Sequence, residues 1–168
     1  MGSVLVAYAT RTRAARDVAA ALADTFTRAG HRVRLADLGH SDPGVEDTDL
    51  VVVGSGIRAT VWYPEAMAWL DAHAEALSGC PVAVFNTCLN AADPTKRDES
   101  LGYNRGAAAL VPVHAQETFT GRYVRDQVGW AQRFLLRLLR QREQDHVDVA
   151  RARAWGATLT ALMQQRQA

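Results

Sequence analysis

Short, continuous apolar runs alternate along the chain with longer stretches of helical periodicity. "VLVAYA" (4–9), "LVVVG" (50–54) and "PVAVFNT" (81–87) are apolar at nearly every position, the pattern of strands covered on both faces. "HRVRLADL" (31–38) alternates instead, which marks a more exposed, edge-like strand, and "VPVHAQETF" (111–119) reads as the last strand. Between them, residues 14–29 set Val18, Ala21, Leu22, Thr25 and Phe26 on one helical face, and Gly30 is placed to end that helix. Pro64 suits a first helical turn, and Met67, Leu70 and Leu77 carry the period on to Ser78 and Gly79. Residues 89–104 are polar and turn-rich, so a loop leading into a short helix near 105–110 is expected. Two helices, 123–143 and 147–165, close the chain.

This order of strands and helices is the rhythm of a doubly wound α/β fold: a five-stranded parallel sheet, order 2-1-3-4-5, with helices on both faces. The whole chain, 1–168, reads as one domain, without repeat, linker or low-complexity segment. In such sheets ligands sit beyond the carboxyl ends of the strands. That singles out three loops: 9–15, 54–63 and 86–104.

Composition changes this picture little. The chain is 48% hydrophobic and 22% charged, with a formal net charge of +1, so no bulk field favours nucleic acid as a partner. Two cysteines, Cys80 and Cys88, fit neither a zinc motif nor a disulfide framework and read as reduced thiols in a cytoplasmic protein. "MGSVLVAYAT" lacks the charged start and cleavage site of a signal peptide, and no apolar run reaches the roughly 18 residues needed to span a bilayer. The five histidines are scattered and none falls in the three loops, so neither a metal site nor an acid–base dyad is expected; the catalytic residues stay unassigned.

The first loop, "YATRTRAARDVA" (8–19), places hydroxyls at Thr10 and Thr12 between a strand and a helix N-terminus, whose free N–H groups and positive dipole end suit a phosphate. It lacks the glycines of Walker and dinucleotide-binding loops. Thr12 serves equally well as a simple helix cap. In "GSGIRATVWYPEAMAWL" (54–70), Gly54 and Gly56 permit close backbone approach, while Trp62 and Tyr63 either stack on a flat ring or pack on the next helix. In "FNTCLNAADPTKRDESLGY" (85–103), Asn86, Thr87 and Asn90 offer donors and acceptors, and Cys88 reads as a small buried residue rather than a nucleophile.

With these stretches in place, the chain resembles the flavodoxin-like superfamily. More narrowly it resembles the flavodoxin-domain family that includes menaquinone-dependent protoporphyrinogen dehydrogenase. The carrying features are "YATRTRAARDVA", "VVVGSGIRATVWYPEAMAWL", "FNTCLNAADPTKR" and the late "YVRDQVGWAQRFLLRLL", spread over nearly the whole chain. The resemblance implies FMN at the carboxyl edge. Thr10, Arg11, Thr12, Arg13, Ala14 and Ala15 would surround the phosphate. Ser55, Gly56, Ile57 and Arg58 would approach the ring from one side, and Asn86, Thr87, Cys88, Leu89 and Asn90 from the other. Trp62, Tyr63 and Tyr103 would meet the substrate. Arg13, Ala14 and Ala15 stand where the flavodoxin loop pattern has Gly-Asn-Thr, so Arg13 either clamps the phosphate or fills its seat.

The implied activity is an FMN-dependent oxidoreductase acting on an aromatic, porphyrinogen-like or quinone-like substrate, with a quinone-type acceptor. A flavin-free protein that binds or cyclises a polycyclic aromatic intermediate is one alternative, motivated by the altered loop. A small electron-transfer flavodoxin is the other; its usual acidity contrasts with the net charge here. Residues 122–142 carry six arginines against Asp126, with Trp130, Phe134, Leu135, Leu138 and Leu139 interleaved. They form either a sheet-covering helix with a solvated face or a peripheral contact with the inner face of an anionic membrane. The oligomeric state is left open.

Overall fold

The computed structural model describes residues 1–122 and 148–167. Five parallel strands form the sheet: β1 (Ser3–Ala9), β2 (Arg32–Asp37), β3 (Leu50–Arg58), β5 (Val82–Cys88) and β6 (Val113–Thr120), in the order β2-β1-β3-β5-β6. The expected order is therefore present. One element was not foreseen: β3 runs on past Gly54 to Arg58 and folds back as a two-residue strand β4 (Val61–Trp62), antiparallel to it.

The apolar runs follow from this layering. On β1, Val4, Val6 and Tyr8 enter one core with Phe26 and Phe119, while Leu5, Ala7 and Ala9 enter a second core with Trp62, Trp69 and Leu70. A strand covered on both faces has no reason to alternate. β2 lies at the sheet edge and keeps Arg32, Arg34 and Leu35 exposed.

Helix α1 (Ala14–Arg28) covers the first core together with α6 (Val149–Gln167). Gly30, at φ 85°, ends α1: its N–H bonds Thr27 O, and the His31 N–H bonds Phe26 O, closing a Schellman motif. The expected helix from Pro64 to Gly79 is broken at His73 into α2 (Pro64–Ala72) and α3 (Ala74–Leu77). The expected loop over 89–104 is wound into two 3₁₀ turns (Leu89–Ala92, Pro94–Lys96) and α4 (Arg97–Gly102), followed by α5 (Arg105–Leu110). The helix expected over 123–143, and with it the proposed basic face beyond Arg122, lies outside the described residues.

Candidate functional site

Strand register brings the three loops together at the carboxyl edge: Ala9 lies beside Ser55, Gly56 beside Thr87, and Cys88 beside Thr120. The first loop decides between cap and cradle. The residue flanking α1 is Arg13, not Thr12, and no side chain caps the helix. Among the described residues, the N–H groups of Ala14, Ala15 and Arg16 have no acceptor; the first bond of the helix runs from the Asp17 N–H to Arg13 O at 3.0 Å. The hydroxyls of Thr10 and Thr12, both half-buried, likewise have no partner among the described residues.

Arg13 adopts φ 67°, ψ −5°, the left-handed region that favours glycine. The backbone thus keeps the form of a glycine-bearing turn although the glycine is gone. The Arg13 side chain is exposed and has no partner among the described residues, so it projects into solvent. Ala14 and Ala15 are fully buried, Ala15 against the core of α1; only their N–H groups are available to a ligand. Arg11 bonds Thr10 O at 3.2 Å, pairs with Glu65 and lies 4.5 Å from the centre of the Tyr63 ring. Arg122 reaches back to Thr12 O and, at 3.0 Å, to Asp17, which ties the loop to α1 from outside.

The second loop is a tight hairpin. Its two turn residues, Ala59 and Thr60, stand at φ 49° and 69°. Such a turn prefers Asn-Gly, and a β-branched residue there is strained. Arg58, Ala59, Thr60 and Val61 are exposed at its tip, and Ile57 is half-buried. Trp62 and Tyr63 turn inward. The Trp62 Nε1–H donates to Asn104 Oδ1 at 3.2 Å. Burial pushes the Tyr63 phenol up, and the charges of Arg11 and Arg58 partly oppose this. Ser55 is consumed locally: its Oγ accepts the Tyr63 N–H at 2.9 Å and donates to Gly56 O at 2.8 Å. The two glycines serve packing here. A Cβ on Gly54 would lie 1.9 Å from the Phe85 ring, and one on Gly56 2.5 Å from the Tyr63 ring.

The third region is the most internal. Asn86 is fully buried; its Nδ2 donates to Ser100 O and Asn104 Oδ1, and its Oδ1 accepts from the Thr118 hydroxyl, all at 2.8 Å. Thr87 and Cys88 are buried, with Cys88 Sγ 3.8 Å from the Thr118 hydroxyl. Leu89 and Asn90 reach the surface region. Leu89 is half-exposed, and Asn90 donates at 3.1 Å to both Glu99 and the Tyr103 hydroxyl. Tyr103 in turn donates to Glu99 at 2.9 Å, which pushes its phenol up.

Asn104 is the residue that sequence reasoning missed. It precedes α5 and resembles a helix cap, yet its side chain makes no cap bond and joins Trp62, Asn86 and β6 instead. Glu117 was missed too: it receives a two-pronged bond from Arg97 at 2.7 and 3.1 Å and a third bond from Arg151 at 2.8 Å. Only charge pairing across distant segments distinguishes it, and that leaves no local pattern.

Facing solvent at this edge are the cradle of residues 10–13, the hairpin tip 58–61 and the surface that begins at 89–90 and runs on over 92–99. No group of three or more His, Cys, Asp and Glu able to hold a metal occurs among the described residues. No described helix is long and apolar enough to cross a membrane.

Comparison with known proteins agrees with this fold. The flavodoxin-domain family model matches residues 5–150. No curated protein sequence matches the chain. Among solved structures, the chain aligns over its full length with rubredoxin oxygen:oxidoreductase from the anaerobe Desulfovibrio gigas, at 14% identity and TM-score 0.65, but spans only 37% of that protein. A short-chain flavodoxin associated with a non-canonical PDU bacterial microcompartment aligns over 97% of this chain and 99% of its own, at 16% identity and TM-score 0.61. A flavodoxin mutant from Fusobacterium nucleatum, bound to flavin mononucleotide, aligns over 72% of this chain and 71% of its own, at 12% identity and TM-score 0.53. At these identities the likeness is one of fold.

Proposed function

The chain belongs to the flavodoxin-domain family, and on that premise we propose that it binds FMN at the carboxyl edge and acts as an oxidoreductase on an aromatic, porphyrinogen-like or quinone-like substrate with a quinone-type acceptor. The observation that carries the cofactor assignment is the first loop. It has a left-handed residue at the helix start and, among the described residues, three N–H groups without acceptors and two unpartnered hydroxyls. Those are the donors a phosphate ester needs.

FMN, when bound, supplies the one- or two-electron chemistry. The chain's own residues do the holding. The N–H groups of Ala14, Ala15 and Arg16 and the hydroxyls of Thr10 and Thr12 receive the phosphate. Arg13, exposed beside them, adds charge without occupying the seat. Val61 and Leu89, the exposed apolar residues of the hairpin and of the turn after β5, offer apolar surface to a flat ring, with Arg58 paired opposite Val61 across the hairpin. Tyr63 keeps its phenol protonated at neutral pH. The basic stretch 122–142 is proposed as the contact with an anionic membrane surface that would bring a lipophilic quinone within reach.

Titration of the purified protein with FMN tests the cofactor assignment. Saturable quenching of flavin fluorescence and a rise in melting temperature are expected. Unquenched flavin and an unmoved melting curve at high-micromolar FMN would overturn it, and would favour the flavin-free alternative. A second reading, a small electron carrier, draws support from the end-to-end alignment with a free-standing flavodoxin. Flavin-loaded protein that exchanges electrons with a redox partner but turns over no quinone would select it.

A further inference from the structure

A cavity of about 340 Å³ opens at the opposite, amino edge of the sheet, between the starts of β3, β5 and β6 and helix α6. Its apolar wall includes Leu50, Val82, Leu159 and Met163, all buried, and Leu162 is half-exposed at its rim. Two polar residues complete it, Asp49 and His114.

His114 owes its place to an irregularity in the sheet. Val82 pairs with Val113, but the next residue, Ala83, pairs with Ala115, so His114 is the extra residue of a bulge. Bulges re-aim side chains and recur beside ligand sites; in a parallel pair they are rare. The Val82 N–H lies 3.3 Å from His114 Nδ1, which makes Nδ1 an acceptor and puts the proton of the neutral ring on Nε2. The His114 ring is exposed at the cavity rim, and its Nε2–H has no acceptor among the described residues. Asp49, exposed at the mouth, accepts the Ser3 N–H at 2.7 Å on Oδ2.

We propose that this cavity is a second small-molecule site, for a compact neutral apolar ligand of one or two rings whose carbonyl-type oxygen accepts from His114 Nε2. The volume lies at the lower end of the range for small-ligand pockets, about 300–1,000 Å³. The wall is apolar, one donor fixes orientation, and the Asp49 carboxylate selects against anions. A phosphate or carboxylate ligand is therefore disfavoured here, in contrast to the cradle at the other end of the strands. The site stands independently of FMN binding.

The test is a backbone amide NMR titration of the full chain with 2-acetylnaphthalene, with 2-naphthoate as its anionic counterpart. Saturable shifts at Ala83, Ala115 and Leu162, none at residues 10–13, and clearly weaker binding of the naphthoate are expected. His114→Ala should weaken binding about 2- to 10-fold, the loss of one hydrogen bond. Ala115→Leu, which adds bulk to a lining residue, should abolish it. Absent or non-saturable shifts, shifts confined to the carboxyl edge, equal affinity for the naphthoate, or unchanged affinity in both variants would overturn the proposal.

Discussion

Arg13 shows how one residue can carry the geometry of another. The turn before α1 demands a left-handed conformation, and glycine adopts it without steric cost. Arginine in the same place is strained, by about 1–2 kcal/mol. The strain persists because β1, buried on both faces, and α1, buried along its inner face, fix both ends of the turn. Since the side chain points into solvent, the substitution leaves the donors of the loop open. Arg13→Gly should therefore stabilise the protein by about 1 kcal/mol, a rise of roughly 2–4 °C in Tm. The same change should weaken FMN binding several-fold, because a cation beside a dianion is lost. Thermal melts and flavin titrations of the two proteins measure both effects. Tighter FMN binding in the variant would mean that the guanidinium obstructs the phosphate.

At the level of elements, β4, β5, β6 and the start of α5 are tied behind the site by one buried polar cluster: Trp62, Asn86, Asn104 and Thr118. Such a cluster rigidifies only while every member is satisfied. Asn104→Ala would strand the Trp62 indole N–H and one Asn86 bond, and should cost about 2–3 kcal/mol. Chemical denaturation reads the loss, and near-UV dichroism should report a looser Trp62; an unchanged unfolding midpoint would show that the cluster contributes nothing. Much of this architecture was legible beforehand. β1, β3 and β5 announce themselves because a strand between two cores is apolar at each position, and α1 because Gly30 must take a positive φ. The hairpin was not legible, since Ala59-Thr60 carries none of the residues that such a turn prefers. Residues 89–104 look like a loop by composition, and only tertiary contacts wind them into helical turns. The candidate site divides in the same way. Thr10, Thr12 and the helix start could be read from local order. Asn86 and Gly54 are polar or small for the sake of amides and a ring distant in sequence, and Ser55 and Gly56 for the sake of Tyr63 across the hairpin. Nothing local distinguishes that from a ligand contact.

For the whole molecule, the titrating groups bound the pH range of stability. Arg11, by hydrogen bond and charge, holds the Glu65 carboxyl below its ordinary range against the opposing effect of burial, and the Thr95 hydroxyl and N–H do the same for Asp93. A depressed carboxylate contributes stability that is present above its unfolded value, about 4.3 for Glu and 3.9 for Asp, and is lost as pH falls through the folded value. Asp93 is exposed and Arg11, the partner of Glu65, is half-exposed, so this acid limb should be shallow. On the alkaline side, burial raises the Cys80 thiol and the Tyr8 and Tyr63 phenols. A raised acid stays neutral in the fold after the unfolded chain has begun to ionise. That contribution is intact below the unfolded value and declines as pH rises through the folded one. Thiols begin this near pH 8.5 and phenols near pH 10, both approximate. The denaturant midpoint plotted against pH should hence be flat from about pH 5 to 8, fall gently below and fall in two stages above. Cys80→Ala should remove the first alkaline stage and leave the second, whereas Glu65→Gln should flatten the acid limb without touching either. An alkaline decline in Cys80→Ala that still starts near pH 8.5 would locate its origin elsewhere than in the buried thiol.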